Sequence, residues 1–177
     1  MIRKAVRADI PAIEHVMRAS VAGLGPSYYD PQQIASAVEQ ITVPDVQLID
    51  DDTFFVVEEE GRIVACGGWS KRKKLYTGSA EQASIEGMLD PATDAARIRA
   101  MFVDPAFARR GLGRLILEAS EEDARRAGFR AFELMATLPG VPLYAACGYE
   151  ELEVTTIDLA DGMRIGGVRM RKRNPVK

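Results

Sequence analysis

Apolar and polar positions change period several times along the chain, and each change predicts an element. Ile2–Arg7 alternates weakly, as a first strand would. Asp9 and Pro11 then supply an N-cap and a first-turn proline, and Ile10, Ile13, Val16 and Met17 share one face of a helix running toward Ser20. Beyond the turn-rich segment Gly23–Pro31, Gln32–Gln40 predicts a second helix. Thr53–Glu59 (TFFVVEE) and Arg62–Trp69 (RIVACGGW) read as a hairpin closed by Glu60-Gly61. Lys71–Asp94 is polar without sustained periodicity and predicts a loop or an irregular strand extension.

The second half carries the stronger pattern. Arg97–Val103 (RIRAMFV) predicts a strand with Ile98, Ala100 and Phe102 on one face. The helix after it places Leu112, Leu115, Ile116, Ala119 and Ala127 near one face, with Glu121/Arg125 and Glu122/Arg126 as i,i+4 pairs on the other. Gly128 ends that helix, and Arg130–Ala136 follows as a strand. Pro142–Cys147 predicts a short helix stopped by Gly148, and Glu151–Asp158 and Ile165–Arg171 predict two strands around Asp161-Gly162. A hairpin followed by strand–helix–strand implies an α/β fold with a mixed sheet.

Composition narrows the chemistry. A chain of 177 residues favours one domain, spanning 1–177. Hydrophobic residues at 47% and charged residues at 28% suit a soluble globular protein. A net charge of −3 provides no bulk attraction to nucleic acid or anionic membrane, so any anion site must be local. Lys71–Lys74 and Arg169–Arg173 therefore read as solvated charge, the first run, which follows a strand, being open between that and a rim of the site. Cys66 and Cys147 have neither disulfide-scaffold number nor metal-ligand spacing, and their apolar neighbours mark them as small packed thiols. Without an apolar leader or a run of membrane-spanning length, a reducing cytoplasmic setting is expected, with no metal. His15 reads as surface or half-buried packing in the first helix.

One stretch asks for more than a turn. Asp104–Leu117 (DPAFARRGLGRLIL) joins the predicted strand to the best-supported helix, with Arg109, Arg110 and Arg114 around Gly111 and Gly113. A helix N-terminus offers unpaired N–H groups and partial positive charge. Glycines let an anion approach that backbone, and arginines add charged donors. Gly-Lys-Ser/Thr is absent, and Ile116 stands where a dinucleotide fingerprint would place its third glycine. On the residues alone, a pyrophosphate cradle and a structural turn stand level.

This stretch resembles the acetyl-CoA motif of the GNAT-type N-acetyltransferases, Gln/Arg-x-x-Gly-x-Gly/Ala, with Ala108 at its first position. Pro142–Tyr149 (PLYAACGY) resembles the same family's Phe-Tyr-x-x-x-Gly-Phe segment, and the element order agrees across most of the chain. The resemblance implies a GNAT-like, mostly antiparallel central sheet flanked by helices, around a strand–helix–strand acetyl-CoA-binding core. It implies acetyl transfer from acetyl-CoA to a small-molecule or peptide amine, with no nucleic-acid or membrane partner and with a homodimer as an assembly found among relatives. It also implies roles for individual residues. Backbone groups of Phe102 and Val103 pair with the pantetheine arm; amides of Arg109, Arg110, Gly111, Gly113 and Arg114 hold the pyrophosphate; Tyr144 sits near the thioester sulfur.

Aminolysis of a thioester needs a neutral amine, a donor for the oxyanion and a proton for the departing thiolate. A strand N–H near Phe102 is the candidate donor, and the Tyr144 hydroxyl is the candidate acid. No covalent enzyme intermediate is needed, so Cys147 is not required as a nucleophile. The base stays open among Glu86, Asp94, Glu133 and a water chain, since Arg97 and Arg99 occupy the strand where some relatives place a carboxylate. Tyr28, Tyr29 and Trp69 are open between acceptor contact and packing. The alternative function is a CoA-binding regulatory or interaction module without turnover.

Overall fold

We describe a computed structural model of residues 1–174; residues 175–177 of the expected 1–177 domain lie outside the described residues. Its strands are β1 (Ile2–Lys4), β2 (Phe54–Glu59), β3 (Arg62–Ser70), β4 (Ala96–Val103), β5 (Ala131–Thr137), β6 (Glu150–Asp158) and β7 (Arg164–Arg173). Helices are α1 (Ile10–Leu24), α2 (Pro31–Gln40), α3 (Val46–Asp50), α4 (Ala80–Ala83), α5 (Leu112–Arg126) and α6 (Val141–Ala146). One sheet holds all seven strands in the order β1-β2-β3-β4-β5-β7-β6. Every neighbouring pair is antiparallel except β4 and β5, which α5 connects in parallel. The expected mixed, mostly antiparallel α/β sheet with a strand–helix–strand core is the observed one.

Alternation on β2 shows how the two faces are filled. Phe54 and Val56 turn toward α1 and α3, joining Ile13, Val16, Met17 and Leu48. Phe55 and Val57 turn the other way, toward α5, with Ile116, Leu117, Phe132 and Leu134. A third cluster packs Tyr29 and Ala37 against Ile157, Leu159 and Ile165. The helices are thus held on both faces by burial of one stripe each, which is where most of their stability comes from.

Local signals place several boundaries. Asp30 accepts the Gln33 N–H at 2.8 Å while the Gln33 side chain accepts the Asp30 N–H at 3.0 Å, a reciprocal cap that starts α2. Asp9 behaves differently from the expected cap. Its carboxylate accepts the Val6 N–H at 2.8 Å and binds Arg3, so it closes the 3-10 turn Arg7–Asp9 before α1. The Lys71–Asp94 segment is mostly irregular, with α4 and a single bridge between Arg72 and Met88.

Two expected faces are corrected by packing. On β4, Ile98 packs with the α5-side cluster, whereas Ala100 and Phe102 pack with the α1-side cluster. A bulge lies between these positions: Cys66 pairs with Phe102 but Gly68 pairs with Arg99, and Ala100 has φ +54°. One extra residue reverses the alternation beyond it. On α5, Leu115 is exposed and Ala127 lies past the helix end, also exposed. Its buried stripe is Leu112, Ile116, Leu117, Ser120, Glu121 and Ala124, so Glu121 belongs to the packed face, not the solvated one. Ser120 fits there by donating to the Ile116 carbonyl at 2.8 Å, and Glu121 by binding groups from β7 and the loop before β6.

Arg72 ties β3's exit to the end of α3 through a two-bond contact with Asp51, at 2.7 and 2.8 Å. This contact holds the Asp51 carboxyl below its ordinary value of 3.8, the Arg72 hydrogen bonds outweighing burial. A depressed folded-state pKa stabilises the fold above the unfolded value and ceases to do so as pH falls through the folded one. Asp51→Asn is therefore expected to lower the melting temperature at neutral pH and to leave a flatter stability profile below pH 3.8, read by thermal melts across an acid series.

Candidate active site

The site begins where two strands part. Parallel pairing of β4 and β5 covers Ala96↔Phe132 and Arg97↔Glu133, and from Ile98 onward the strands diverge. At the far end of β4 the Asp104 N–H donates to the Val64 carbonyl at 2.9 Å, with Ala65↔Val103 and Cys66↔Phe102 as the next pairs. Ladder alternation then points the Phe102 N–H at β3 and turns the Val103 N–H and C=O into the gap. Phe102 instead contributes its side chain to the gap's lining. Main-chain groups left open on a splayed strand are a template for an extended ligand arm.

Three cavities run through this opening and share walls. The outer groove is lined by Tyr28, Arg109, Gly111, Gly113, Arg114 and Leu143. A middle cavity shares Val103, Gly113 and Leu143 with it and adds Tyr29, Met101 and Tyr144. An inner cavity shares Met101, Phe102, Thr137 and Tyr144 with the middle one and continues to Asp45, Tyr76, Thr77 and Arg99. Tyr144 stands at the junction of the inner and middle cavities.

The outer groove ends on the glycine–arginine loop. Asp104 starts it by accepting the Ala106 N–H at 2.9 Å, closing a 3-10 turn over Pro105–Phe107. Gly111 is the N-cap of α5 with φ +80°, a conformation that costs a side-chain-bearing residue roughly 1–2 kcal/mol. Nothing lies within 4 Å of where its Cβ would be, so the space in front of the first-turn amides is open. These features suit a pyrophosphate: free N–H groups, a helix N-terminus and the Arg109 and Arg114 side chains on one groove. Arg110 is not gathered there. Its guanidinium pairs with Glu59 at 3.1 Å and lies over Phe107, 5.2 Å from the ring centre.

Tyr144 is held by packing rather than by its hydroxyl. Only 8% exposed, its ring meets Tyr149 edge-on at 5.8 Å. A Cβ on Gly140 would lie 2.9 Å from its Cε2, so the preceding turn must be glycine for the ring to sit there. Among the described residues the hydroxyl has no hydrogen-bond partner. Burial, and then the neighbouring Cys147, push its pKa well above the ordinary 10, so the phenol is protonated at neutral pH. Behind it the Tyr149 hydroxyl donates to Glu121 at 3.0 Å. Cys147 is half-buried and Cys66 fully buried; burial pushes both thiols up, away from the reactive thiolate.

Other expected residues fall outside the site or take different parts in it. Trp69 is buried on the α5 side, edge-on to Phe129 at 5.7 Å, its indole N–H on Asp123 at 2.8 Å. Tyr29 lines the middle cavity and fixes its wall, donating to the Gly166 carbonyl at 2.6 Å and accepting the Leu138 N–H at 2.9 Å. Tyr28 stays exposed at the groove's edge, and His15 is exposed on α1. Asp94 accepts the Asp90 N–H at 2.7 Å, and Glu133 is bound by Arg97 at 3.0 Å and by Arg169. Neither lines the two inner cavities, nor does Glu86. Asp45, which no local pattern singles out, is the acidic residue that does. It caps α3 by accepting the Gln47 N–H at 3.1 Å.

Among the described residues, no cluster of three or more His, Cys, Asp or Glu is placed to hold a metal ion, and no helix is long and apolar enough to cross a membrane. No curated protein matches the sequence. Solved structures match its fold throughout. A GCN5-related N-acetyltransferase from Rhodopseudomonas palustris superposes with a TM-score of 0.71 at 17% identity, covering 98% of this chain and 94% of that one. The PaiA N-acetyltransferase of Thermoplasma acidophilum, solved with coenzyme A, gives 0.67 at 14% identity and covers 98% of each chain. The ribosomal-protein-S18-alanine N-acetyltransferase of Escherichia coli gives 0.61 at 18% identity, covering 100% of this chain and 95% of that one. The sequence signature of the Acetyltransferase (GNAT) family spans residues 23–149, from the end of α1 through the glycine–arginine loop to the tyrosine segment. The chain belongs to the acetyltransferase (GNAT) family.

Proposed function

We propose that this chain moves an acetyl group from acetyl-CoA to the amine of a small-molecule or peptide acceptor, by direct attack on the thioester. The observation that carries this reading is the continuous run of cavities through the β4–β5 gap, with Tyr144 where two of them meet. The outer groove receives the pyrophosphate, on the amides of Arg109 through Arg114. Val103 pairs with the pantetheine arm from the open edge of β4, with Phe102 as a side-chain wall. The acetyl group then lies beside Met101 and Tyr144, and the acceptor enters from the inner cavity.

In the transfer, the amine nitrogen forms a bond to the thioester carbon and the carbon–sulfur bond breaks. An alkylammonium has a pKa near 10 and must first lose a proton. Asp45 is held by Arg99 at 2.9 Å, so that proton passes to water in the acceptor cavity. The strand N–H groups at the bulge beside Phe102 stabilise the oxyanion. Tyr144 then donates its proton to the departing sulfur and is reprotonated, through cavity water, by the second proton that the amine nitrogen sheds as it becomes an amide. Burial keeps the phenol protonated until the thiolate forms, and the returning amine proton leaves no phenoxide buried in the cavity. The two cysteines stay free in a reducing cytoplasm.

Thiol release on mixing acetyl-CoA with a panel of amines tests this reading. Turnover with any amine supports it; acetyl-CoA binding without release for every amine would assign the chain to a CoA-binding module instead. The loop gives a finer expectation. Arg109→Gln and Arg114→Gln should each raise KM for acetyl-CoA roughly fivefold, with a steeper penalty at low salt. Arg110→Gln, whose side chain serves Glu59, should stay within about twofold of the parent, since an exposed pair of this kind contributes little.

A further inference from the structure

The inner cavity is walled by hydrocarbon except at one ion pair. Met17, Ile41, Val43, Leu75, Ile98 and Ile157 supply apolar side chains, and among the described residues Asp45 and Arg99 are the only charged ones in the lining. The cavity encloses about 90 Å³, below the roughly 150 Å³ of a protein cavity that takes benzene, so a chain of a few carbons fills it. Val43 is 56% exposed, so the lip of the cavity is hydrocarbon too. Arg99 is 4% exposed and donates to Asp45 at 2.9 Å and to Thr77 at 2.7 Å. The cavity's one carboxylate is thus already matched by a cation. Nor does the adjoining polar pocket offer a carboxylate in excess: it shares Asp45 and Arg99 and adds Arg72, Lys74 and Glu86, two cations to one anion.

Resting on the proposed acetyl transfer, we propose that the acceptor is an apolar monoamine, a primary amine on a short hydrocarbon chain, and that Arg99 sets this specificity by masking Asp45. The physical reason is desolvation. An ammonium taken from water against hydrocarbon must find a carboxylate or shed its proton. The reacting amine sheds its proton in any case, because attack on the thioester requires the lone pair. A second ammonium, as in a polyamine, gains nothing by doing so and meets no free carboxylate, since Arg99 holds Asp45. Arg99 therefore acts through Asp45: its charge turns the one group that could recognise a second cation into a neutral pair.

The test uses two acceptors of one length, pentylamine and 1,4-diaminobutane, which differ by a methyl group in place of the second ammonium. kcat/KM for pentylamine is expected to exceed that for the diamine by about 10- to 100-fold at neutral pH, because the second amine, with a pKa near 10, is buried charged or deprotonated at a cost. Arg99→Gln removes the cation from Asp45 and should narrow this ratio at least fivefold by raising the diamine, without moving KM for acetyl-CoA. Val43→Glu places a carboxylate at the exposed lip, where it does not threaten folding, and should narrow the ratio in the same direction. In parallel, thermal shifts of CoA-saturated protein report binding of each amine without turnover, and only pentylamine is expected to raise the melting temperature. Equal shifts for the two amines, none for either included, would overturn the proposal whether or not transfer is seen, as would equal kcat/KM. Pentylamine-selective shifts with no thiol release would uphold the apolar monoamine site while overturning the proposed catalysis. A ratio unchanged in folded Arg99→Gln would overturn the masking role of Arg99, and one unchanged in Val43→Glu would overturn desolvation as the source of the selectivity.

Discussion

Tyr144→Phe is expected to lower kcat by about 100-fold or more while KM for acetyl-CoA moves by less than about twofold, the range for losing one general acid. The prediction is sharp because the ring and the hydroxyl have separate supports. Packing against Tyr149 and the Gly140 turn fixes the ring, and phenylalanine keeps every one of those contacts. The hydroxyl has no partner among the described residues, so removing it orphans nothing, and thermal stability should change by no more than about 0.5 kcal/mol. Steady-state kinetics with a fixed saturating amine, alongside a thermal melt, reads all three quantities. A parallel fall in kcat and in acetyl-CoA affinity would falsify the acid role and leave the tyrosine as a wall of the cavity. The pH profile adds a control. With the phenol pushed above its ordinary range, any basic limb below pH 10 must belong to another group.

The largest effect on stability is expected from Glu121. Its carboxylate is 2% exposed and takes four contacts: Lys172 at 2.8 and 3.0 Å, Arg125 at 2.8 Å and the Tyr149 hydroxyl at 3.0 Å. Glu121→Ala strands these donors against the α5–sheet interface and should cost about 3 kcal/mol. That is the low end for a broken buried pair, because Lys172 keeps 24% of its side chain in water. For a chain of this size it corresponds to a drop in melting temperature of roughly 6–12 °C. The double variant Glu121→Leu with Lys172→Met should recover a good part of that loss, since it removes both charges together. Additive losses would mean that the pair contributes net stability rather than guarding against an unpaired charge. Through Tyr149 the same change loosens the ring that braces Tyr144, so kcat should fall with stability in Glu121→Ala. It should be largely restored in a variant that keeps the Tyr149 bond, such as Glu121→Gln.

Much of this molecule is legible in the chain before any contact is known. The order of the seven strands and of α1, α2, α5 and α6 follows from local periodicity, and the proposed anion site from a glycine-bearing turn and a helix start within fourteen residues, Asp104–Leu117. Tyr144 follows from its segment's resemblance to the family. These features depend on neighbours close in sequence, so a linear reading captures them. What it misses depends on pairings far apart. The bulge at Ala100 reverses the β4 face because one residue has no counterpart on β3, a mismatch invisible in a run such as RIRAMFV. Glu121 looks like half of a solvated helix pair until Lys172 and Tyr149 arrive from beyond β5 to pay for its burial. Arg110 carries charge enough for a phosphate, yet Glu59 of β2 draws its side chain away. Most consequential is the parting of β4 from β5 after Arg97↔Glu133, together with Asp45 and Thr77 closing on Arg99 from two separate loops. The chain's local chemistry specifies the cradle proposed for the donor; only the tertiary structure, by bringing Asp45 and Thr77 to one buried guanidinium, shapes the inner cavity proposed for the acceptor.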